Sequence, residues 1–328
     1  MKKQLCILLL LAAGIFCAYA GGSPTVGIAW KGGKHSEALL KALDTVGIHY
    51  VFLDQVTADF LSYDAVNNDD AGKASYCQRQ KLSAGMTNKQ GMLKTAQAKK
   101  VKKQGWKASN VLQIVEGVDA VLFPGGEDVS PTLYGRADKQ DNASKTINAT
   151  RDVSDYLLMR YCIDNDIPTL GICRGMQVMG IASGSQMIQD MGLYYKAHGE
   201  EYADTHLKGK GRKYTARHDV AISAGSLACK VIGKTYWEKV FSAHHQAVFI
   251  DPKYTEAGLV VSGTAAVGGD DPADWKCTAE IVERTDKTFM LGIQSHPELA
   301  TKGTPDVSAE DFEICIRVFT ALKDQISK

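Results

Sequence analysis

Apolar runs of four to six residues alternate along the chain with longer stretches in which apolar positions recur every three or four residues, as expected for strands and helices in turn. Residues 25–30 read as a first strand. Leu39, Leu40, Leu43 and Val46 then form one helical stripe with Ser36 at its N-cap and Gly47 at its end, and residues 48–53 read as a second strand. Short connections of this kind predict a parallel pair joined by a right-handed crossover. The alternation resumes with a strand at 118–123 and a helix at 151–165 whose Val153, Tyr156, Leu157 and Tyr161 share a face. A strand at 167–172 follows, then a helix carrying Met176, Val178, Met179 and Ile181. Later strands fall at 220–222 and from Phe289 onward. Ser308 with Asp311 three residues on opens a closing helix whose Phe312, Cys315, Ile316, Phe319 and Leu322 should face the core. The order predicts an α/β fold.

Composition narrows this picture without changing it. The chain has 328 residues, 45% hydrophobic, with a formal net charge of +1. Such balance argues against a chain built as a whole to bind nucleic acid. Met1-Lys2-Lys3, an apolar run from Cys6 to Cys17 and Ala18-Tyr19-Ala20 together read as a signal peptide over residues 1–20. It is expected to be cleaved after Ala20, giving an exported, periplasmic or secreted protein with no integral membrane segment. Residues 21–328 then form the enzyme domain, interrupted by a basic insertion at about 71–107 that holds ten Lys or Arg and no Asp or Glu. That stretch is either a solvated excursion or an anion-facing patch. Cys77, Cys162, Cys229, Cys277 and Cys315 show no CxxC pair, so their pairing is not legible. Asn142 and Asn148 begin glycosylation sequons, which matter only in a eukaryotic host.

Chemistry concentrates at three predicted strand ends. Gly171-Ile172-Cys173-Arg174-Gly175 places a cysteine between two glycines where a strand hands over to a helix. Glycines on both sides permit a tight turn, and the helix N-terminus favours a thiolate. Alone, the motif fits a buried structural cysteine equally well. Pro124-Gly125-Gly126 follows the 118–123 strand and can turn backbone N–H groups toward a ligand. Ser295-His296-Pro297-Glu298 ends the last strand, with a carboxylate two residues beyond a histidine and on its side of an extended segment. This is the base-plus-orienter arrangement that a cysteine nucleophile needs. His198, His206, His218, His244 and His245 match no metal-ligand spacing, so no metal and no cofactor are expected. His244 and His245 read instead as pocket-lining or structural donors.

Taken together, Gly171–Gln177 and Ser295–Glu298 resemble the class I glutamine amidotransferase-like superfamily. Residues 124–131, Tyr134-Gly135, Arg151-Asp152, Arg174, Gln189-Asp190 and His244-His245-Gln246 resemble, more narrowly, its γ-glutamyl hydrolase-like branch of the peptidase C26 type. The resemblance implies a flavodoxin-like three-layer sandwich with a mostly parallel central sheet. It implies Cys173 as nucleophile, His296 as base, Glu298 as its partner, and an oxyanion hole from the N–H groups of Gly126 and Arg174. Gln177, His245 and Gln246 are carried over as substrate contacts. Ser295, the run 179–185 and the basic insertion depart from the family pattern and bear on the substrate. The expected partner is a small γ-glutamyl compound, cleaved through a thioester, and a homo-oligomer is compatible with the sequence. About 30 residues follow His296, which favours a stand-alone hydrolase. The rivals are the glutaminase part of an amidotransferase and a catalytically silent binding protein on the same fold.

Overall fold

The computed structural model describes residues 23–32, 36–66, 80–135, 147–200, 202, 206–207, 216–266, 277–301, 304 and 306–327. The signal segment, Asn142 and Cys77 therefore lie outside the described residues, as does the side chain of Cys277. Among the described residues no helix is long and apolar enough to cross a membrane.

The chain opens β1 (Thr25–Ile28), α1 (Ser36–Val46) and β2 (His49–Phe52), as the hydrophobic pattern predicts, with Gly47 at φ 66 closing the helix. A small hairpin, β3 (Tyr63–Ala65) with β4 (Gln80–Leu82), and helices α2 (Thr95–Gln104) and α3 (Val111–Ile114) precede β5 (Ala120–Phe123). Then come α4 (Ala149–Asp164), β6 (Thr169–Ile172) and α5 (Arg174–Ala182). Next are β7 (Gln186–Ile188), α6 (Met191–Ala197), β8 (Ala216–Ile222), α7 (Leu227–Ile232) and β9 (Tyr236–Ser242). The series ends with β10 (Ala247–Phe249), β11 (Leu259–Ala266), β12 (Cys277–Arg284), β13 (Met290–Ile293) and α8 (Ala309–Ile326).

The central sheet runs β2-β1-β5-β6-β13-β12-β11-β8-β9. Its first five strands are parallel, and the remainder extends as an antiparallel wing. Alternation along each strand feeds two cores. Ala120, Leu122, Leu170 and Ile172 face α1, α7 and α8, whereas Val121 and Phe123 face α4 and α5. These two helical layers around one sheet give the α/β sandwich expected from the sequence.

Three expectations need correction. Helix α4 is buried nearly all round, Arg151, Asp152, Ser154 and Asp155 included, so its buried surface is not one apolar face. In α8 the capping box forms as expected, Asp311 N donating to Ser308 Oγ at 3.0 Å and Ser308 N to Asp311 Oδ2 at 3.1 Å. Its buried stripe, however, runs through Ile314, Cys315, Val318, Phe319 and Leu322, leaving Phe312 and Ile316 half-buried. In the basic stretch, Met92, Leu93, Ala98 and Val101 are fully buried while Lys99, Lys100, Lys102 and Lys103 are exposed. From residue 80 onward it is therefore a packed part of the domain, not a solvated excursion.

Candidate active site

Because β5, β6 and β13 are neighbours and parallel, the chain leaving each one arrives at the same edge of the sheet, where open α/β folds place their ligands. Phe123 pairs with Gly171, and Ile172 with Ile293. Pro124–Gly126 thus follows β5, Cys173 follows β6, and His296 lies three residues past β13. The Cys173 N–H donates to the Ile293 carbonyl at 2.7 Å, tying the cysteine backbone to the strand that delivers His296.

Cys173 is the N-cap of α5, at φ 52 and ψ −107. For a non-glycine residue this backbone costs about 1–3 kcal/mol and persists only where the surroundings impose it. The glycines show how they do. A Cβ on Gly171 would stand 2.6 Å from the Gly175 carbonyl carbon, and one on Gly175 would stand 2.2 Å from the Phe123 carbonyl oxygen. Helix α5 thus turns back against β5 and β6 at a separation that any larger residue would prevent.

His296 accompanies the cysteine. Its Nδ1 lies 2.7 Å from Glu298 Oε1, with both side chains buried. Nε2 is then the ring nitrogen available to the Cys173 sulfur, with which His296 also interacts. Burial works against the imidazolium, but the Glu298 carboxylate and then the Cys173 sulfur outweigh it and hold His296 well above the ordinary histidine value. A Cβ on Gly125 would sit 3.2 Å from His296 Cε1 and 4.0 Å from Cys173 Sγ, so ring and sulfur converge beside the Pro124–Gly126 loop.

A buried ion network fixes that loop and the cysteine turn to one helix. Arg151 of α4 donates to the carbonyls of Pro124 and Gly125 at 3.1 and 3.0 Å, and pairs with Glu127 at 2.9 Å and Asp155 at 3.2 Å. Arg174, directly after the cysteine, pairs with Asp155 at 2.5 Å and Asp152 at 2.6 Å. Asp152 also accepts from the N–H and hydroxyl of Ser130. Gly126 must be glycine because a Cβ there would lie 2.0 Å from Arg151 Nη1. Sequence reading noted Arg151-Asp152 only as part of a resemblance and missed Asp155 altogether. The signal was present: Arg151 and Asp155 are four apart on a helix, the spacing of an ion pair.

Each of the residues expected to contact substrate has a partner within the protein. Gln177 lies one turn along α5, where its Nε2 donates to Gln294 at 3.2 Å. Gln246 donates to the Gln189 carbonyl at 3.0 Å. His245 bridges two carboxylates, Nε2 to Asp128 and Nδ1 to Asp190, each at 3.2 Å. It thereby ties the loop after β5 to the start of α6. Burial opposes its charge, yet the two carboxylates raise its pKa. A cleft of about 490 Å³ beside β7 and α6 is lined by Asp190, Leu193, Tyr194 and Phe249 among others, and by none of Cys173, His296 and Glu298. Cys162 and Cys315 are buried free thiols pushed up to about 12 by desolvation, which makes them inert. The histidines that sequence spacing left scattered are not scattered in space: His206, His218 and His244 converge on Glu280, a residue the sequence reading did not single out.

The sequence model of the Peptidase C26 family matches residues 93–298, from the start of the α2 region through Glu298. The chain belongs to that family, within the class I glutamine amidotransferase-like superfamily. A putative glutamine amidotransferase-like protein of Rickettsia prowazekii is 25% identical over 226 residues, covering 59% of this chain and 75% of that one. A putative glutamine amidotransferase of Schizosaccharomyces pombe is 31% identical over 185 residues, covering 56% of this chain and 64% of its own length. CTP synthase of Pyrococcus furiosus is 30% identical over 208 residues, 58% of this chain but only 32% of that enzyme. Among solved structures, the CTPS glutaminase domain of Trypanosoma brucei with bound acivicin covers 93% of this chain and 94% of its own, at 16% identity and a TM-score of 0.47.

Proposed function

We propose that this protein is a hydrolase of γ-glutamyl amide bonds that works through a thioester on Cys173. Family membership supports the coarser statement, a hydrolase of the glutamine amidotransferase type. The observation that carries the finer one is Cys173, held at positive φ on a strand-to-helix turn beside a buried His296–Glu298 pair. In this reading the imidazolium that Glu298 sustains stabilises the Cys173 thiolate, which attacks the γ-carbonyl carbon. The C–N bond breaks as His296 passes its proton to the departing amine. Water, deprotonated by the now neutral His296, then cleaves the thioester and restores the thiolate.

The oxyanion of each tetrahedral intermediate is assigned to the N–H groups of Gly126 and Arg174. Arg174 opens α5, where backbone N–H groups lack intrahelical acceptors. Arg151, which holds the Pro124 and Gly125 carbonyls, and Arg174 share Asp155, which supports treating the two assigned donors as one coupled unit. Export of the mature protein belongs to the same proposal and is tested by locating the processed chain after cell fractionation.

The match to CTP synthase favours a second reading, a glutaminase that supplies ammonia. The two separate by kcat/KM on γ-glutamyl amides, γ-glutamyl peptides and free glutamine, measured without ATP or partner. Faster cleavage of the γ-glutamyl amides is expected. Preference for glutamine, or activity only with a synthetase present, would reverse the order.

A further inference from the structure

We propose that His206, His218, His244 and Glu280 bind one zinc ion in a closed structural site, separate from Cys173, His296 and Glu298. All four residues are buried, and one ligand atom from each lies within 4.8 Å of every other. His206, His218 and His244 present Nε2 to the Glu280 carboxylate at 3.5, 3.1 and 3.3 Å. A tetrahedral zinc site with bonds of about 2.0–2.1 Å has ligand-to-ligand edges of about 3.4 Å. The three histidine-to-carboxylate distances match that edge, and the whole set, within 4.8 Å, needs only a small contraction to close round an ion.

The chemistry of the cluster favours a cation over protons. His244 Nδ1 lies 2.9 Å from the Gln246 carbonyl, which only an N–H can satisfy, so as a metal ligand the ring would turn its Nε2 lone pair toward Glu280. A backbone carbonyl on the far nitrogen is how ligating histidines are oriented. Neither nitrogen of His218, nor His244 Nε2, nor either Glu280 oxygen makes an aligned hydrogen bond, although all are buried. Buried polar atoms left this way destabilise the fold unless something engages them. A proton on one ring aligns one nitrogen with the carboxylate; a divalent ion engages all four residues together. Three neutral imidazoles and a carboxylate suit zinc among the common divalent ions, and four protein ligands close the site to water.

The ligands come from β8, β12, the turn after β9 and the segment before β8, so the ion would fasten the antiparallel wing to itself. That wing also holds the histidine of the active site. Gln294 N donates to the Glu280 carbonyl at 2.8 Å, and His296 N to the Phe241 carbonyl at 2.8 Å. Ser242 Oγ bonds the His206 carbonyl at 2.9 Å. Zinc should therefore raise the stability of the wing and steady the backbone that presents His296.

The test uses full-length mature protein, purified without a polyhistidine tag, with Cys173→Ala beside wild type so that the thiol cannot serve as a ligand. Elemental analysis after dialysis should give one zinc per chain in both. Chelation should lower Tm, and Zn²⁺ alone should restore it. Co²⁺ in its place should give the visible bands of a tetrahedral site. X-ray absorption should report nitrogen and oxygen neighbours with no sulfur. Glu280→Gln and His218→Gln should each weaken zinc binding more than about 100-fold, beyond what loss of an outer-shell partner causes. Absence of zinc together with no Tm response to added Zn²⁺ in the wild type would overturn the proposal, whatever the variants do. So would full zinc retention in Glu280→Gln, or a sulfur neighbour that disappears in Cys173→Ala.

Discussion

Replacing Arg174 by methionine tests whether the ion network beneath the cysteine turn holds the site in place. The side chain is 1% exposed, and it contacts two carboxylates that are themselves 0% and 1% exposed. Its removal leaves Glu127 and Asp155 paired with Arg151, and Asp152 with the hydrogen bonds from Ser130 but without its arginine. Stranding buried charge in this way costs about 3–5 kcal/mol, whereas an exposed pair contributes about 0–1 kcal/mol. At about 2.1 cal/mol/K per residue over roughly 300 residues, the unfolding entropy is about 0.6 kcal/mol/K, so Tm should fall by about 5–8 °C. Thermal unfolding followed by circular dichroism measures this. Adding Asp152→Leu to Arg174→Met should recover part of the loss, because the double variant no longer buries that orphaned carboxylate. A single variant within about 1.5 °C of wild type, or a double variant no more stable than the single, would show that the network does not carry the turn.

Glu298→Gln removes the strongest influence raising His296, leaving burial, which lowers it, opposed only by the weaker influence of Cys173. The imidazolium is then lost at lower pH, so the alkaline limb of the kcat/KM profile should move down; an unmoved limb would separate Glu298 from the histidine's titration. The same group contributes to stability with the corresponding sign. Its raised folded-state value makes the contribution full below the ordinary 6.5 and lost as pH rises through the folded-state value. Gly126→Ala should drive the new methyl into Arg151, displacing the loop and costing about 10²-fold or more in kcat. Near-normal kcat in a folded Gly126→Ala protein would remove that loop from the mechanism.

What the sequence disclosed was local. Gly171 and Gly175 around Cys173, the β1–α1–β2 opening and the Ser308–Asp311 capping box were legible because each is decided by residues a few positions apart. The pairing of His296 with Glu298 was legible for the same reason. The wing was not. Glu280 lies in β12, one strand over from β13, and its partners come from positions 206, 218 and 244. No ligand spacing along the chain reveals that convergence, because it is created by three antiparallel pairings, β12 with β11, β11 with β8 and β8 with β9. Helix α4 misled for a related reason. A helix with Arg151, Asp152 and Asp155 reads as half-solvated until the partners Arg174 and Glu127, brought by two other strand ends, are seen to cover those charges.

The central claim is that turnover passes through an acyl group on the Cys173 sulfur. Mature protein mixed with a γ-glutamyl amide and quenched in acid within the first turnovers can be weighed intact, then digested to locate any added mass. The account predicts one γ-glutamyl group on the peptide that contains Cys173, no adduct in Cys173→Ala, and about 10³-fold or greater loss of turnover in that variant with its fold intact. An adduct on another residue, or near-wild-type hydrolysis by Cys173→Ala, would contradict it.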